Sequence, residues 1–346
     1  MNKLFKKIAC FAFAGIAMLS LVACGTVQGE EPEDLNLSIW DGQTITSVEE
    51  LKTKVVEEGQ SVSGKKYHSI EINDAADFVA AMRDINNFEN FTIKLQKDID
   101  MADMPWNSAI VDGSVSATDC TITINGNNKT IYGLSNMLIS NAGDGRVNLE
   151  IKNLTISQAN IAVDVNNVNS NIAVGAFVGN IGAGVNEVTF SNCHLENSLV
   201  NGGNWTGGIF GIAAGSSEVG NAEFVDVLVS ECSVRGSLIS GKGIVGGIAG
   251  QSTADVWTKV EINSSSVVNN EIKSLSASNV NAGVAIGSVG VAGDEITVDS
   301  VAKTGGTYIN NFEYSYNDVY SNGTLVSRIY GDLADGKLYI NGALID

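Results

Sequence analysis

Two different spacings of hydrophobic positions divide the body of the chain into a short helical start and a long stretch of strands. A first helix is predicted over residues 48–58, behind a capping box that starts at Ser47, because the apolar positions recur at helical intervals. A second helix is predicted from Asp74 to about Asn86 on a stripe of apolar residues. From Phe91 onwards apolar and polar residues alternate, which is typical of strands with one buried face.

The strands repeat, and two kinds of segment can be aligned along the chain. The first kind is an apolar strand flanked by glycines, with copies at 175–179, 207–211, 246–250 and 283–287. The second kind alternates apolar and polar positions, with copies at 149–154, 188–193, 227–232, 260–265 and 296–301. A repeat that contains only short strands and turns cannot bury its apolar face alone, so neighbouring copies are expected to stack on one another.

Stacking predicts a solenoid in which equivalent residues of successive copies form columns about 4.8 Å apart. One inward column is expected to hold the last residue of each second-kind copy, namely Leu154, Cys193, Cys232, Ser265 and Val301. Asparagine tolerates left-handed backbone, and it clusters where the chain should turn, at 125–128, 166–167 and 269–270. The predicted fold class is all-β, a parallel solenoid between a short α-helical entrance and a C-terminal cap.

Three stretches of the sequence resemble a known family of bacterial surface repeats. They are Asp98-Ile99-Asp100 ahead of Trp106, the segment 124–134, and the recurring Gly-Gly-Ile-x-Gly. These stretches resemble GLUG-motif repeats over about residues 70–305, although the family's usual Asp-Gly-Asn-Gly-His stands here as Asn-Gly-Asn-Asn-Lys. The resemblance implies a right-handed parallel β-helix in a surface lipoprotein or adhesin.

The first residues have the features of an export signal that ends at a lipid anchor. Three lysines precede an apolar run over 8–22 that is too short for a stable membrane span. Residues 1–23 are therefore predicted to be a signal peptide, and the last four residues before Gly25 resemble a bacterial lipobox, which implies that Cys24 is lipidated and held in a membrane. An ordinary signal peptide cleaved near Ala23 is the alternative.

Past residue 306 the chain becomes rich in tyrosine, and it is predicted to cap the solenoid with antiparallel strands. Asn322-Gly323 and Asp335-Gly336 are hairpin turn signals. Three tyrosines are candidates for a face that stacks on sugars, with aromatic packing over the solenoid end as the alternative: Tyr314, Tyr316 and Tyr320. The predicted domains are a signal peptide (1–23), lipidated Cys24 with an acidic tether (24–46), a helical cap (47–90), the β-helix repeats (91–305) and the C-terminal β cap (306–346).

Composition and charge narrow the chemistry that we expect. The formal net charge of −19 repels phosphate backbones, so nucleic acid is not an expected partner. The cysteines beyond the anchor are expected to be buried thiols: Cys120, Cys193 and Cys232. No metal or cofactor is expected, and no catalytic residues are predicted. His194 should face away from Cys193 on the same strand, which leaves no nucleophile and base side by side.

Two main classes of function remain open at this point. In the first, the chain is a non-catalytic adhesin, lipid-anchored in the cell envelope, at the outer membrane or cell surface and facing outward. It would contact a glycan or another protein, with Trp205 and Trp257 near the edges of the repeats as further candidate ligand-binding residues. In the second, it is a degenerate polysaccharide lyase or glycoside hydrolase on the same scaffold. A structural envelope lipoprotein without a soluble ligand is a third possibility.

Overall fold

The computed structural model describes most of the chain from residue 46 onwards and a short strand before it. The described residues are 38–39, 46–60, 66–88, 90–102, 104, 106–112, 120–143, 147–163, 172–182, 185–215, 224–252, 257–276, 281–290, 295–298, 301–333 and 336–345. The chain divides into two compact units, 1–36 and 37–346, and the predicted signal peptide and Cys24 lie outside the described residues, as do the asparagines at 166–167. None of the helices described has the length and apolar character that a membrane span needs.

Two short helices and a hairpin form the N-terminal part. In chain order the elements are β1 (Ser38–Ile39), α1 (Val48–Lys54), β2 (Val56–Gln60), β3 (Lys66–Ile72), α2 (Ala75–Arg83) and a 3-10 turn (Ile85–Asn87). Ser47 caps α1 as predicted, since its hydroxyl accepts the backbone N–H of Glu50 at 3.2 Å. The prediction that this helix reaches residue 58 is wrong, because Val56 begins a strand whose backbone pairs antiparallel with β3.

The second helix packs its apolar face against the first strands. The helix begins at Ala75, next to its predicted start at Asp74, and the Asp74 carboxylate caps it by accepting the backbone N–H of Asp77 at 2.9 Å. Phe78 and Met82 are fully buried, and the Phe78 ring stacks on Trp106 with centroids 5.8 Å apart. The two helices are joined by an ion pair of 2.6 Å between Lys54 Nζ and the buried carboxylate of Asp77.

The remaining described chain is built of strands, most of them in five similar repeats. Before the repeats come β4 (Asn90–Leu95), β5 (Ile99–Asp100), β6 (Ala109–Asp112), β7 (Cys120–Tyr132) and β8 (Ile139–Gly143). The first repeat holds β9 (Val147–Ser157), β10 (Asn160–Ala162), β11 (Ala173–Gly175) and β12 (Val178–Ile181). The second holds β13 (Val185–Glu196), β14 (Leu199–Gly202), β15 (Trp205–Gly207) and β16 (Phe210–Ala213).

The later repeats follow the same order. The third holds β17 (Val225–Ser230), β18 (Ser233–Arg235), β19 (Leu238–Gly241), β20 (Ile244–Gly246) and β21 (Ala249–Gln251). The fourth holds β22 (Thr258–Asn263), β23 (Ser266–Val268), β24 (Glu271–Ser274), β25 (Ala282–Gly283) and β26 (Ile286–Ser288), and a hairpin of β27 (Glu295–Val298) and β28 (Val301–Thr304) comes after it. The fifth holds β29 (Gly306–Asn310), β30 (Glu313–Ser315), β31 (Asp318–Ser321), β32 (Thr324–Val326) and β33 (Tyr330–Asp332), and β34 (Leu338–Ile340) and β35 (Ala343–Ile345) end the chain.

The first four repeats each give one or two strands to the long sheet and one strand to each of three further parallel sheets, and the fifth repeat joins the long sheet and two of the others. The long sheet runs β2-β3-β4-β7-β9-β13-β17-β22-β29-β34-β35 and is parallel from β3 to β34. The other parallel sheets run β10-β14-β19-β24-β31, β11-β15-β20-β25 and β33-β26-β21-β16-β12-β8-β6. The described chain is thus predominantly β, and its parallel sheets are compatible with a β-helix-like fold.

The glycine-flanked segments align in register, but they are corners and not strands. In the second repeat β15 ends at Gly207 and β16 begins at Phe210, so Gly208 and Ile209 form the bend between two sheets. A Cβ on Gly207 would collide with the carbonyl oxygen of Phe210 and lie 2.6 Å from that of Ile248 in the next repeat. Only glycine allows the backbones to approach this closely, which explains why the motif recurs at each corner.

The predicted inward column is confirmed at four of its five positions. Leu154 lies in register with Cys193, the Cys193 N–H points at Cys232 Sγ (3.4 Å), and the Cys232 N–H donates to Ser265 Oγ at 3.1 Å. All four residues are buried, and the expectation of buried thiols is confirmed for the three described cysteines. The prediction for Val301 is wrong, because this residue begins β28 of an antiparallel hairpin. In the fifth repeat the column position next to Ser265 is occupied by Phe312.

The turns after the long-sheet strands use left-handed backbone in every repeat, as the asparagine clusters predicted. One corner holds Asn153, Asn192, Glu231, Ser264 and Asn311, all with φ between 49° and 56°. The next corner holds Gln158, Asn197, Gly236, Asn269 and Tyr316, with φ between 48° and 62°. Glycine and asparagine adopt this conformation at low cost, whereas a bulky aromatic residue there is an outlier.

The C-terminal part is only partly the antiparallel cap that the sequence predicts. Strands β29, β30, β31 and β33 continue the parallel sheets of the fourth repeat, so that prediction is wrong for these residues. Among the described residues past 306, antiparallel pairing is confined to β31 with β32 and β34 with β35. The turn at Asn322-Gly323 is confirmed, while the second hairpin turns at Asn341-Gly342, and Asp335 lies outside the described residues.

Candidate functional site

The outward face of the long sheet carries a mixed set of charges in its second to fourth repeats. Because successive side chains of a strand point to opposite faces, the residues beside each buried valine point outward. The register places Glu187, Asp226 and Lys259 in one row across β13, β17 and β22. Two residues further along, Thr189, Leu228 and Glu261 form a second row.

Five residues of these rows, together with Val227, line a cleft of about 230 Å³, which we call the sheet-face cleft. The row residues that line it are Glu187, Asp226, Leu228, Lys259 and Glu261. Lys259 Nζ lies 2.7 Å from Glu261 Oε1 and so neutralises that carboxylate. Lys303 Nζ lies 2.6 Å from Asp226 Oδ2. Glu187 is exposed, and its carboxylate accepts a hydrogen bond from Thr189 Oγ1 at 3.3 Å.

The hairpin of β27 and β28 borders this cleft. It is inserted between the fourth and fifth repeats, yet Lys303 reaches back to Asp226 in the third repeat. The Lys303 ammonium also lies 4.9 Å from the centre of the buried Phe224 ring, which is a favourable cation–π distance. Two contacts of the Lys303 side chain thus hold the inserted hairpin beside the cleft.

The charge state of Lys259 decides which chemistry the cleft can perform. Burial acts to lower the pKa of Lys259, but the hydrogen bond and charge of Glu261 and the charge of Asp226 outweigh it, and the pKa is raised. A lysine held as an ammonium donates hydrogen bonds and binds anions, but it does not take up a proton as a general base. The cleft is therefore suited to binding through charge and hydrogen bonds.

A tyrosine pair continues the second row toward the C-terminal end. Tyr308 of β29 lies beside Glu261, and its ring stacks on Tyr339 with centroids 4.8 Å apart and an interplanar angle of 6°. Lys259 Nζ lies 5.6 Å from the centre of the Tyr308 ring. The pKa of Tyr308 is raised, first by burial and then by the neighbouring Tyr339, so this phenol stays protonated and can donate a hydrogen bond.

The structure separates the two tryptophans that the sequence singled out. Trp257 comes two residues before Lys259, and its carbonyl accepts the N–H of Val225 at 2.9 Å, which places it at the start of the cleft-bearing strands. Trp205 begins β15 in another sheet, in register with Ala173 and Ile244. Both tryptophans are half-buried.

The three candidate tyrosines do not share one face. Tyr314 is in register with the buried Val267, so it covers the end of an inward column, and it packs on Phe312 with centroids 6.1 Å apart. Tyr316 follows strand β30 at a left-handed corner and is 86% exposed. Tyr320 belongs to β31 in a different sheet and lies under Lys273. Strand alternation does not extend to Tyr316, because β30 ends at Ser315.

His194 faces outward and Cys193 inward, as the alternation predicts. The ring of His194 hydrogen-bonds Ser233 Oγ at 2.8 Å and Asn192 Oδ1 at 2.9 Å. Burial, the largest cause, and the charge of Arg235 lower the pKa of His194, against the opposing charge of Glu196. Burial also raises the pKa of Cys193. No cluster of three metal-binding side chains occurs among the residues that the structure describes.

The residues of the sheet-face cleft were not singled out from the sequence. The signal for them was present, because aligning the copies at Val188, Val227 and Val260 also aligns the residue before each valine. That alignment places Glu187, Asp226 and Lys259 in one outward row. No signal in the sequence indicated Lys303, which is 77 residues from its partner Asp226.

Comparison with known proteins finds a family match for part of this chain. Residues 69–198 match the family described as "Putative pectate lyase-like adhesive domain". A solved structure described as that of "a putative immunoglobulin A1 protease from Bacteroides ovatus" is 18% identical, covers 83% of this chain and 80% of its own, and has a TM-score of 0.47. A comparison with curated proteins finds no match. The matched segment supports an adhesive, β-helix-like class of cell-surface protein.

Proposed function

We propose that this protein is a lipid-anchored adhesin of the bacterial cell surface, built on a right-handed parallel β-helix of GLUG-like repeats, and that it binds a glycan or a surface protein without chemical catalysis. Support comes from the adhesive-domain match over 69–198 and from the in-register parallel sheets. Lipidation of Cys24 would hold the repeats at the membrane and face them outward.

The observation that carries this proposal is the backbone and exposure of Tyr316. Its φ is +55°, at a corner where the four earlier repeats have Gln158, Asn197, Gly236 and Asn269. The Tyr316 side chain adds little to the packing of the interior, because 86% of it is exposed. Backbone strain that packing does not repay is typical of functional positions, so Tyr316 is assigned to ligand contact.

Other exposed apolar side chains accompany Tyr316 in the C-terminal part. Tyr314, Leu325 and Leu344 are each about half exposed or more. Tyrosine suits adhesive contacts because its ring packs on sugar or protein surfaces while its hydroxyl hydrogen-bonds to polar groups. The fifth repeat and the final strands therefore form the proposed adhesive end.

Binding of wild type and one matched pair of variants to a glycan array and to immobilised surface proteins tests the proposal. Tyr316→Asn restores the residue type of earlier repeats and should abolish or strongly weaken the strongest binding. Tyr67→Asn changes another exposed tyrosine, 44% accessible and in the N-terminal hairpin, and should leave binding unchanged. Equal binding by wild type and Tyr316→Asn would contradict the proposal.

The alternative, a lyase or hydrolase, can be tested by an activity assay on the same purified protein. Lys259, which lines the cleft beside its carboxylates, is held charged by Glu261 and is unsuited as the base of a lyase. Incubation with a panel of polysaccharides should release neither reducing ends nor unsaturated products. Release of either by wild type, and its loss in Glu187→Gln, would replace the adhesin proposal with a catalytic one.

A further inference from the structure

The sheet-face cleft lies on β13, β17 and β22 and contains no residue of the proposed adhesive end. We propose that it binds the side chain of a lysine from a basic polypeptide partner, with the ammonium at Glu187 and the hydrocarbon stem over Leu228. Both residues line the cleft, on neighbouring strands β13 and β17.

The charges in the cleft leave room for one more cation. Glu261 is neutralised by Lys259 at 2.7 Å and Asp226 by Lys303 at 2.6 Å. Within the described part of the chain, the contact of the Glu187 carboxylate is a single hydroxyl, that of Thr189. An incoming ammonium would therefore meet the Glu187 carboxylate, which has no cationic partner among the described residues, beside Asp226, which Lys303 already pairs, in the next strand of the same row.

The apolar component of the cleft selects a cation with a hydrocarbon stem. Leu228 stands in the outward row where neighbouring repeats have Glu150, Thr189 and Glu261, and it is the apolar member of that set. Lysine covers apolar surface with its methylene chain while its ammonium stays with charged or polar groups. An amino sugar carries its ammonium on a polar ring, which would leave Leu228 without an apolar partner.

The size of the cleft fits one side chain. Its volume of about 230 Å³ lies below the roughly 300–1,000 Å³ of pockets for drug-sized ligands. The hairpin of β27 and β28, held by Lys303 at Asp226, borders the cleft beside the two rows. The rest of the partner would thus remain outside, on the flat sheet face.

The charge of the whole protein favours the same occupant. A formal net charge of −19 draws basic partners toward the surface and repels acidic ones. Electrostatic complementarity of this kind raises association rates and makes binding sensitive to salt. Binding of a lysine side chain in the cleft should therefore weaken as ionic strength rises.

The methyl signals of Leu228 provide a direct readout of this site. Protein labelled at its leucine methyl groups is titrated with Nα-acetyl-lysine methylamide, and Leu228 is assigned by the signal lost in Leu228→Ile. We expect a saturable shift of the Leu228 methyls at probe concentrations up to about 10 mM, where single-side-chain affinities are measurable. The Nε-acetylated probe, which lacks the charge, and glucosamine, which lacks the stem, should each shift these signals at least fivefold less at equal concentration.

Two carboxylate variants decide whether the cleft itself is responsible. Glu187→Gln should weaken the apparent affinity of the lysine probe at least fivefold. Glu150→Gln, on the same sheet face and outside the cleft, should change it less than twofold. No Leu228 shift, equal response to glucosamine, or equal weakening by both variants would overturn the proposal. Because Tyr316 takes no part in this experiment, such a result would leave the adhesive end untouched.

Discussion

Replacing Tyr316 with asparagine should make the protein more stable while it loses its adhesive contact. The side chain is 86% exposed, so little packing is lost when the ring is removed. Left-handed backbone costs an ordinary residue roughly 1–2 kcal/mol, and the cost is lower for asparagine because it visits this conformation routinely. We therefore expect the free energy of unfolding to rise by about 0.5–1 kcal/mol.

The gain is small but measurable. At roughly 2 cal/mol/K of unfolding entropy per residue, a folded part of this size should melt about 1 °C higher for Tyr316→Asn. The reverse substitution at the same corner of the preceding repeat, Asn269→Tyr, should lower the free energy of unfolding, because Asn269 has φ +57°. Thermal and urea unfolding followed by circular dichroism measure both changes.

A decrease in the free energy of unfolding of Tyr316→Asn would refute the reasoning. A loss of 1 kcal/mol or more would mean that the ring stabilises the fifth repeat by packing, and its left-handed backbone would then need no functional explanation. A stability gain together with unchanged ligand binding would refute the assignment of Tyr316 to ligand contact. If Tyr316 contacts the ligand at the cost of backbone strain, Tyr316→Asn combines higher stability with weaker binding.

Three further predictions concern the interior, the corners and pH. Cys232→Ser should be nearly neutral because a hydroxyl also accepts the Cys193 N–H, whereas Cys232→Val leaves that group unpaired and should cost about 1–3 kcal/mol in urea unfolding. Gly207→Ala should prevent soluble folding, whereas Gly182→Ala, whose nearest contact is a side-chain atom at 3.3 Å, should remain folded by gel filtration. The lowered pKa of His194 means that the unfolded chain binds a proton more readily. Stability should therefore fall as pH drops below the ordinary histidine value of 6.5, and this melting-temperature decrease should be smaller in His194→Gln.

The stacking of the repeats could be predicted because side-chain alternation and turn chemistry are local. Copies that end at Leu154, Cys193 and Cys232 share one alternation, and the structure aligns them. The copy at 296–301 has the same alternation but belongs to an antiparallel hairpin. Periodicity indicates which face of a strand is buried and not which neighbour it pairs with, so an insertion with a similar pattern is predicted as a repeat.

The sheet-face cleft could be predicted from the sequence only in part. Its rows follow from register, which the aligned valines encode, but its border depends on where the inserted hairpin folds. Lys303 contacts Asp226 two repeats back and not Lys259 of the repeat just before it. That choice is set by the charges and the Phe224 ring in three dimensions, and loops of this kind leave little trace in a pattern of apolar positions.

The central claim, in-register parallel stacking of the repeats, can be tested most directly by cross-linking across β13 and β17. Ser191 and Ser230 are register partners, about 4.8 Å apart, whereas Ser191 and Leu228 are diagonal neighbours about 7–8 Å apart on the same face. In a Cys24→Ser background, a one-carbon bis-thiosulfonate should link the pair Ser191→Cys and Ser230→Cys rapidly and the pair Ser191→Cys and Leu228→Cys slowly. Faster linkage of the diagonal pair, or none in either, would contradict the account.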